Sequence, residues 1–486
     1  MQPGKCAGAA LPKFVGIYSD TCTKFGDVHC LSVSASLVVF NTHTGCIHGK
    51  ELMVTYTSRL RDHAQKIGRD TRIALVGAGQ MGRGFGNQLG RKEGISLSII
   101  IDSDLERVKV VYADLGITDV VFSDDKDLLS KAILEGRHTG STNATLVSEL
   151  PVDLVVEGTG VPDIGAQITY SSLLAKKDVA VLNVEMDVTI GPLLHKVATD
   201  NGVIYAVCHG DEPIEAKVLV DYARDLNFEI ICAGKGKNNP FEPLSTPDSV
   251  REIAIKKKMN PKMLCSFTDG SKTMTEMVAL ANTTGLQLSK RGMYGPASSV
   301  KTLQDTFALE QDGGVLDRPG VVDYCTGDVA PGVFVIVRHN DPYIAHEMSY
   351  LAMGSGPYFA LYRPFHLASI EAPITVYRAI LDRESSLYAP HLNAEVVTMT
   401  KKDLAVGDVI DGIGGFTVRG FADNAMDAKR DNLVPIGLVA GAKIIKPIGV
   451  GELLTYDHVE LNQDSFIVAL RKKQDELGLT YAPHQK

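Results

Sequence analysis

Residues 71–82 read TRIALVGAGQMG, a short apolar run that leads directly into the pattern G-x-G-x-x-G at positions 77–82. Glycines at this spacing occur in many turns, so the pattern alone is a weak signal. Here a helix-compatible stretch follows it, and a second apolar run at 95–101 ends in Asp102, twenty positions after the last glycine. This order predicts a βαβ dinucleotide-binding unit, in which the helix N-terminus faces the pyrophosphate. An ordinary strand–turn–helix without a ligand is the alternative.

The glycine turn and the strand ends beside it are expected to bind a nicotinamide cofactor. Gly77 permits the tight turn, Gly79 lets the backbone approach a pyrophosphate, and Gly82 lets the helix pack closely on the strand. Asp102 is expected to accept a hydrogen bond from a ribose 2′-hydroxyl and to repel a 2′-phosphate, which favours NAD over NADP; a solvated turn aspartate is the alternative. The predicted cofactor-binding residues are Gly77, Ala78, Gly79, Gln80, Met81, Gly82, Asp102, Gly158, Thr159, Gly160 and Asn183.

The composition excludes several classes of protein. The 486 residues are enough for more than one domain, and 44% hydrophobic with 22% charged residues is typical of globular chains. A net charge of −9 without a long basic run argues against a nucleic-acid partner. The sequence contains no run of about 18 consecutive apolar residues, which is the length that a membrane-spanning helix needs. The eight cysteines lack C-x-x-C spacing, which is typical of reduced, buried thiols. We therefore expect a cytoplasmic protein that acts on a small molecule.

The pattern of apolar runs changes along the chain and predicts four segments. Between residues 70 and 210, strand-like runs alternate with helix-compatible stretches, which predicts an α/β fold with a doubly wound parallel sheet of the Rossmann type. The predicted boundaries are an N-terminal extension at 1–68, disordered or preceding a true start at Met53; a Rossmann NAD(P)-binding domain at 69–210; an α+β catalytic and dimerisation domain at 211–390; and a small β-rich domain with a tail at 391–486.

Local patterns add further expectations within these segments. The polar insert at 135–149 is expected to be a surface loop, and residues 264–268 are expected to be extended, like 228–233 and 333–337. The stretch 366–381 has apolar residues at partly helical spacing. We expect it to return as a helix against the first domain.

Acidic residues follow two neighbouring strand-like runs, where the carboxyl ends of parallel strands should meet. Glu185 follows one run, and Asp211 and Glu212 follow the next. Adjacent carboxylates suit a hard divalent cation, Mg²⁺ or Mn²⁺, and we expect Asp211 and Glu212 to be its ligands. Capping of a helix by Asp211, with Pro213 in the first turn, is an equally weighted alternative.

Three later loops supply cationic and amide side chains. They are AGKGKNNP at 233–240, DGSKT at 269–273 and GPYFALYRPFH at 356–366. Lysines on glycine-rich turns can bind a phosphate or carboxylate, and a lysine can donate a proton. Solvated turns and structural side chains are the alternatives. The predicted catalytic residues are Glu185, Lys235, Lys237 and Lys272, and the predicted substrate-binding residues are Asn238, Asn239, Ser271, Arg363 and His366.

Taken together, the motifs resemble one family across about residues 70–460. These motifs are NVEMDVTIGP, GDEP, AGKGKNNP, DGSKTMTEM, GGVLDRPGVVDY, GPYF-x₃-RPFHL and the glycine-rich C-terminal stretch. The sequence resembles the 1-deoxy-D-xylulose 5-phosphate reductoisomerase-like enzymes, which are homoserine-dehydrogenase-like oxidoreductases with a C-terminal SAF domain. Residues 1–52 lie outside the resemblance.

The resemblance implies an NADPH-dependent, metal-assisted rearrangement and reduction of a phosphorylated keto-sugar. Reductoisomerases proper carry N-K-E and then D-S-E, whose acidic residues hold the metal. Asn183, Glu185, Asp211 and Glu212 stand at similar positions, with Val184 in place of the lysine and a different spacing of the acidic pair. The third acidic ligand would be Glu276 or Glu371.

Two other functions remain open at this stage. One is a homoserine-dehydrogenase-like or sugar-acid dehydrogenase that catalyses no rearrangement. The other is a nucleotide-sensing, carbohydrate-binding protein, which would bind the cofactor without metal-dependent turnover. In each case we expect a homo-oligomer whose partner is a small molecule.

Overall fold

The structure, a computed structural model, describes residues 55–481. The expectation that residues 1–52 are disordered or precede the true start therefore lies outside the described residues and stays a prediction. The end of the proposed extension is helical: α1 spans Tyr56–Ile67, is capped by Thr55 and buries Leu60 completely.

The first half of the chain forms a doubly wound parallel sheet, as predicted. Its strands are β1 Thr71–Val76, β2 Ile95–Ile101, β3 Val120–Phe122, β4 His138–Ser141, β5 Leu154–Glu157, β6 Asp178–Val181 and β7 Tyr205–Val207. They lie in the order β3-β4-β2-β1-β5-β6-β7, and every neighbouring pair is parallel. The helices are α2 Gln80–Leu89, α3 Leu105–Asp114, α4 Lys126–Leu134, α5 Pro162–Leu174, α6 Val184–Asn201 and α7 Glu212–Asp225. This is the Rossmann-like arrangement that the alternating apolar runs predict.

The surface loop predicted at 135–149 is wrong. Strand β4 lies there, followed by a short 3₁₀ helix at Ala144–Ser148. The strand is polar in sequence, but its groups are paired with its neighbours: Tyr112 Oη donates to Thr139 O at 2.7 Å, and Thr139 Oγ1 donates to Ser98 O at 2.9 Å. Buried polar side chains are tolerated in a sheet when they are hydrogen-bonded in this way.

The middle of the chain forms a mixed sheet with flanking helices. The strands are β8 Glu229–Gly236, β9 Gln287–Leu288, β10 Ala297–Ser298, β11 Val321–Gly327, β12 Val333–Arg338 and β13 Tyr358–Arg363. Their order is β10-β11-β8-β12-β13, with β9 beside β11, and β12 runs antiparallel to both its neighbours. The helices are α8 Arg251–Lys256, α9 Pro261–Thr268, α10 Ser271–Thr284, α11 Leu303–Thr306, α12 Pro342–Tyr350, α13 Ala368–Glu371 and α14 Pro373–Leu381.

Two local expectations for this region have opposite outcomes. Residues 264–268 are helical rather than extended, because Asn260 caps α9 and Pro261 occupies its first turn. Helix α14 does return to the first sheet, where Val376 and Tyr377 join the apolar core formed with α2 and β1. The nucleotide-binding half is thus completed by a segment that is distant in sequence.

The C-terminal part is a small β-rich region closed by a helix. It contains the antiparallel pairs β14 Ala394–Thr400 with β15 Val418–Asn424, and β16 Lys443–Ile444 with β17 Val459–Glu460. Its helices are α15 Ala425–Arg430 and α16 Phe466–Glu476. Helix α16 packs on α5 and α6 of the first half. Among residues 55–481, no helix is both long enough and apolar enough to cross a membrane.

Candidate active site

A cavity of about 1390 Å³ lies at the carboxyl ends of β1, β5, β6 and β7. Ligands of doubly wound sheets bind at this edge. The first half, the mixed-sheet region and the C-terminal region all contribute to its walls. The volume exceeds the roughly 300–1,000 Å³ of a single small-molecule pocket, so it has room for a dinucleotide with a substrate beside it.

The glycine turn forms an open cradle at the start of α2. Gly77 has φ +98°, and a Cβ there would lie 2.5 Å from the backbone of Gly158. A Cβ on Gly79 would meet no atom within 4 Å, so this position faces open space. Gly79 also caps α2 without any side-chain hydrogen bond to the helix. The free N–H groups and the open space fit the pyrophosphate of a dinucleotide.

Asp102 lies behind this turn rather than on the cavity wall. Its Oδ2 accepts from Ala78 N–H at 2.7 Å and its Oδ1 accepts from Asp104 N–H at 2.9 Å. The side chain is 7% exposed. Asp104, Glu106 and Arg107 instead line the cavity there. The hydrogen bond that Asp102 is expected to accept from a ribose hydroxyl therefore stays a prediction.

A cluster of buried carboxylates and lysines occupies the other side of the cavity. Oxygen atoms of Asp211, Glu212 and Glu276 all lie within 4.8 Å of one another. Lys235 Nζ donates to Glu212 Oε1 at 2.6 Å and to Glu276 Oε2. Lys272 Nζ lies 3.3 Å from Asp211 Oδ2 and 3.9 Å from Glu276 Oε1.

Glu185 completes this cluster at the start of α6. Its Oε1 lies 3.5 Å from Lys272 Nζ. Counted fully ionised, the four carboxylates and two ammonium groups leave an excess of two negative charges. A divalent cation would neutralise that excess, and oxygen is the donor atom that Mg²⁺ or Mn²⁺ prefers.

The pKa values reflect this crowding of negative charge. Burial, with the Glu212 carboxylate beside it, raises the pKa of Glu276 to about 8, and burial raises the pKa of Asp211. Burial alone would also raise the pKa of Glu212, but the Lys235 ammonium holds it well below its usual range. Burial alone would lower the pKa of Lys272, but the adjoining carboxylates raise it well above its usual value. The donor set thus fits a cation that replaces protons on Glu276 and Asp211.

Asp211 caps helix α7, which was the alternative to metal binding at this residue. The helix begins at Glu212 with Asp211 as its N-cap, and Asp211 Oδ1 accepts from Glu212 N–H at 3.3 Å. Only one carboxylate oxygen makes that contact, while Oδ2 faces Lys272. Capping and metal binding are therefore compatible at this residue.

His366 links the cluster to the loop before α7. Its Nδ1 lies 2.9 Å from Gly210 O, and its Nε2 lies 3.3 Å from Glu212 Oε1. The ring lines the cavity, as expected for a substrate-binding residue.

The lysine and asparagine loop forms one end of the cavity. Lys237, Asn238 and Asn239 line it. Lys237 Nζ donates to Phe267 O at 2.7 Å. Burial and the nearby Lys235 charge lower the pKa of Lys237 to about 8. The Lys237 ammonium group also lies 5.9 Å from the centre of the Phe241 ring, and a cation held by carbonyl groups and an aromatic ring gains from an added anion.

Several predicted site residues have other surroundings. Arg363 pairs with Glu215 and Glu371 and does not line the cavity, so its predicted contact with a substrate stays a prediction. Glu276, and not Glu371, lies with Asp211 and Glu212. Ser271 is 1% exposed and its Oγ accepts from Gly420 N–H.

Some of the remaining predicted residues line the cavity, and others do not. Asn183 caps α6 through Met186 N–H and is buried. Gly77 and Gly82 shape the turn without lining the cavity. The residues that the structure does bring to the cavity are Ala78, Gly79, Gln80, Met81, Gly158, Thr159, Gly160, Glu185, Asp211, Glu212, Lys235, Lys237, Asn238, Asn239, Lys272 and His366.

Other cavity residues were missed from the sequence. Lys258, Asn260 and Lys262 extend the cationic end of the cavity. The run KKKMNPK at 256–262 carries them and was the available signal. Residues 411–413 and 436–438 of the C-terminal region were also missed, because only tertiary packing brings them here.

Comparison with known proteins gives one family match. Residues 210–372 match the model of the catalytic domain of oxidoreductase DRL. This stretch contains Asp211, Glu212 and Glu276. A search among curated proteins finds no match to the chain.

Solved structures show distant similarity. A probable dehydrogenase from Thermotoga maritima is 13% identical, with 66% of this chain and 91% of that chain covered and a TM-score of 0.39. The 1-deoxy-D-xylulose 5-phosphate reductoisomerase from Zymomonas mobilis, in complex with NADPH, is 14% identical, with coverage of 42% and 58% and a TM-score of 0.29. The scyllo-inositol dehydrogenase from Lactobacillus casei is 12% identical, with coverage of 61% and 76% and a TM-score of 0.34. At such identities and scores, the similarity carries no argument about what this chain does.

Proposed function

We propose that this protein is a nicotinamide-dependent oxidoreductase that rearranges and reduces a small phosphorylated keto-sugar at a divalent metal site. We favour 1-deoxy-D-xylulose 5-phosphate as the substrate. The observation that carries the proposal is that the carboxylate cluster, two ammonium groups and the glycine cradle face one cavity. The match of residues 210–372 to the oxidoreductase DRL catalytic domain supports the same class.

The acidic cluster would hold the metal and position the substrate. Asp211, Glu212 and Glu276 would be the protein ligands of Mg²⁺ or Mn²⁺. When bound, the cation would polarise the substrate carbonyl, and the dihydronicotinamide would supply the hydride. Lys272, whose ammonium group faces these carboxylates, would donate a proton to the substrate oxygen, and Glu185 would hold that ammonium group in place.

The cationic end of the cavity would bind the substrate phosphate. Among residues 55–481, the ammonium group of Lys237 has no carboxylate partner, and Asn238 and Asn239 supply amide donors beside it. A phosphate there would stabilise the charged form of Lys237 against the burial that lowers its pKa.

We favour NAD as the cofactor. Asp104 and Glu106 line the adenosine end beside the guanidinium of Arg107, which already lies 3.5 Å from Asp104 and 3.8 Å from Asp102. The guanidinium of Arg83 also lines the cavity, but it is paired with Asp114 at 2.6 Å. Three carboxylates around one guanidinium would repel a 2′-phosphate.

A dehydrogenase without rearrangement is the second candidate, and one observation favours it. Lys235 and Lys272 already neutralise part of the acidic cluster. Lys272 could therefore serve as the proton donor for a simple reduction without a metal. Sugar acids and homoserine are the substrates to compare.

The test is a turnover screen with NADH and NADPH, with and without Mg²⁺ or Mn²⁺. The substrates are 1-deoxy-D-xylulose 5-phosphate, other keto-sugar phosphates, sugar acids and homoserine. We expect metal-dependent oxidation of NADH with the deoxyxylulose phosphate, lost in Asp211→Asn. We expect Mn²⁺ binding, measured by titration calorimetry, to weaken in the same variant.

Asp221→Asn is the matched control, because Asp221 lies on the same helix, α7, and faces Lys217 outside the cavity. Metal-independent turnover of homoserine or a sugar acid would favour the second candidate. Binding of the dinucleotide without turnover of any substrate would favour a nucleotide-sensing protein.

A further inference from the structure

We propose that the C-terminal region is a fixed wall of the catalytic chamber that contacts the nicotinamide half of the dinucleotide and shields it from water. We call residues 411–413, 436–438 and 440 the C-terminal wall. The proposal rests on the proposed function, since it requires a dinucleotide in the cavity.

Apart from Asp411, the C-terminal wall consists of apolar residues and glycines that line the cavity. Ile413, Ile436 and Leu438 line the same cavity as the glycine cradle. The two parts of the wall adjoin, because a Cβ on Gly412 would lie 3.2 Å from the Cβ of Ala440. Apolar side chains at this place would exclude water from a reacting hydride donor.

The wall is seated on both of the other regions that line the cavity. A Cβ on Gly437 would lie 3.1 Å from Thr189 Cβ of α6 and would clash with Thr189 Oγ1, so this close approach favours glycine. At the opposite end, Lys262 Nζ donates to Asp411 O at 2.9 Å. The wall therefore spans from the nucleotide-binding half to the cationic end.

A second set of contacts fixes the wall through α16. Asp163, at the start of α5, accepts from Ser465 Oγ at 2.6 Å and from Ile467 N–H at 2.9 Å. Arg471 pairs with Glu395 at 2.6 Å, and both side chains are buried. Arg471 also donates to Thr189 O of α6 at 3.2 Å, and this contact is buried. The C-terminal region is therefore held as part of the chamber and not as a loose appendage.

The position of the wall indicates which half of a bound dinucleotide the wall would contact. The pyrophosphate cradle lies at the start of α2, and the adenosine end lies beside α3. The wall lies against Thr189 of α6, and the start of α16 contacts α5 through Asp163. Helices α5 and α6 begin after β5 and β6. The remaining half of the dinucleotide, the nicotinamide, would extend to that side.

The chain contains no tryptophan, so a single introduced tryptophan can report on this contact. The test variant is I413W, because Ile413 is only half-buried and lines the cavity. V406W is the control, because Val406 is 62% exposed and lies outside the cavity in the same region. Acrylamide quenching is measured with and without saturating NAD⁺ or NADP⁺, whose oxidised ring does not absorb tryptophan emission.

We expect the bound dinucleotide to lower the quenching constant of I413W by at least about twofold and to leave that of V406W unchanged. Loss of dinucleotide binding in I413W alone, measured by calorimetry, would also support the contact. Wild-type affinity in I413W with an unchanged quenching constant would overturn the proposal and leave the proposed function standing. If the wild-type protein bound no dinucleotide, both this proposal and the proposed function would be contradicted.

Affinity measurements on a smaller change give an independent readout. Leu438→Ala removes apolar contact from the wall, and we expect it to weaken dinucleotide binding by about tenfold, or roughly 1.4 kcal/mol. Val450→Ala, at a half-exposed site outside the cavity, should keep the wild-type affinity. Equal affinities in the two variants would contradict a contact at Leu438.

Discussion

Gly77 and Gly79 stand two positions apart in the nucleotide turn but meet different surroundings. Gly77 has a positive φ and lies against the backbone of Gly158. Gly79 has φ −66° and faces open space. One glycine is therefore required by the fold, and the other is required only by a ligand.

Alanine at each position separates these two roles. We expect Gly77→Ala to destabilise the fold, because it adds backbone strain and a clash with Gly158. Gly79→Ala should keep the wild-type melting temperature but weaken dinucleotide binding at least about tenfold. Thermal denaturation and calorimetry measure the two effects. Equal dinucleotide affinity in Gly79→Ala and the wild type would argue against a pyrophosphate at this turn.

Asp187 makes stability depend on pH. Burial raises its pKa to about 6, although Tyr205 Oη donates to it at 2.8 Å. The folded state therefore favours the protonated form, and this stabilisation is lost as the pH rises through 6. Asp187→Asn should be more stable than the wild type by up to roughly 3 kcal/mol at about pH 8, and by only roughly half as much at about pH 5.

Urea denaturation at the two pH values measures this difference. Asp200→Asn is the control, because Asp200 lies exposed on the same helix, α6. If the free energy of unfolding of the wild type did not decrease from the lower to the higher pH, Asp187 would be ionised in the folded protein at no cost in stability.

At the scale of elements, the sequence predicted the strands that consist of apolar residues. The strands β1, β2, β5, β6 and β7 are buried and apolar, so their pattern was visible. Strand β4 was not, because its polar groups are paired only once the neighbouring strands are in place.

The site residues could likewise be predicted only where the sequence pattern fixed their position. Asp211 and Glu212 could be placed beside Glu185 because parallel strands share one edge. Glu276 could be named only as a candidate, and Lys262 and Leu438 were missed, because packing between distant segments brings them to the cavity. The ion pairs of Arg363 could not be predicted, because its partners, Glu215 and Glu371, come from separate helices.

A buried ion pair joins the C-terminal region to the start of α10. Lys401 Nζ lies 2.8 Å from Asp269 Oδ2, and the two side chains are 1% and 0% exposed. We expect Lys401→Met to lower the free energy of unfolding by about 3–5 kcal/mol, because it leaves the Asp269 charge buried without its partner. Chemical denaturation measures this loss. The neighbouring Lys402 is exposed, so Lys402→Met should change stability little, and an equal loss in both would contradict the role of the pair.

At the scale of the whole molecule, the nucleotide-binding half is not contiguous in sequence. Helix α14 covers the core formed by β1 and α2, yet the mixed-sheet region separates it from β7. Helix α1 also packs against α14. Residues 69–210 alone therefore leave an apolar face open.

Fragments test this dependence directly. We expect the fragment 55–210 to lack a cooperative thermal transition, because the core around Phe85 and Leu89 stays exposed without Val376 and Tyr377. Fusion of residues 366–390 through a flexible glycine–serine linker should restore the transition. Circular dichroism during heating measures both. An equally cooperative transition in the unfused fragment would contradict the dependence.

The distant position of α14 also has a consequence for synthesis of the chain. The ribosome completes β7 long before it reaches Leu381, the last residue of α14. At about 5–20 residues per second, the apolar face beside α2 waits roughly 10–30 seconds for its cover. During that interval the nascent chain offers a binding surface for a chaperone, although the finished protein conceals it. Nascent chains stalled before Pro373 should therefore be held by chaperones, and those stalled well beyond Leu381 should be released.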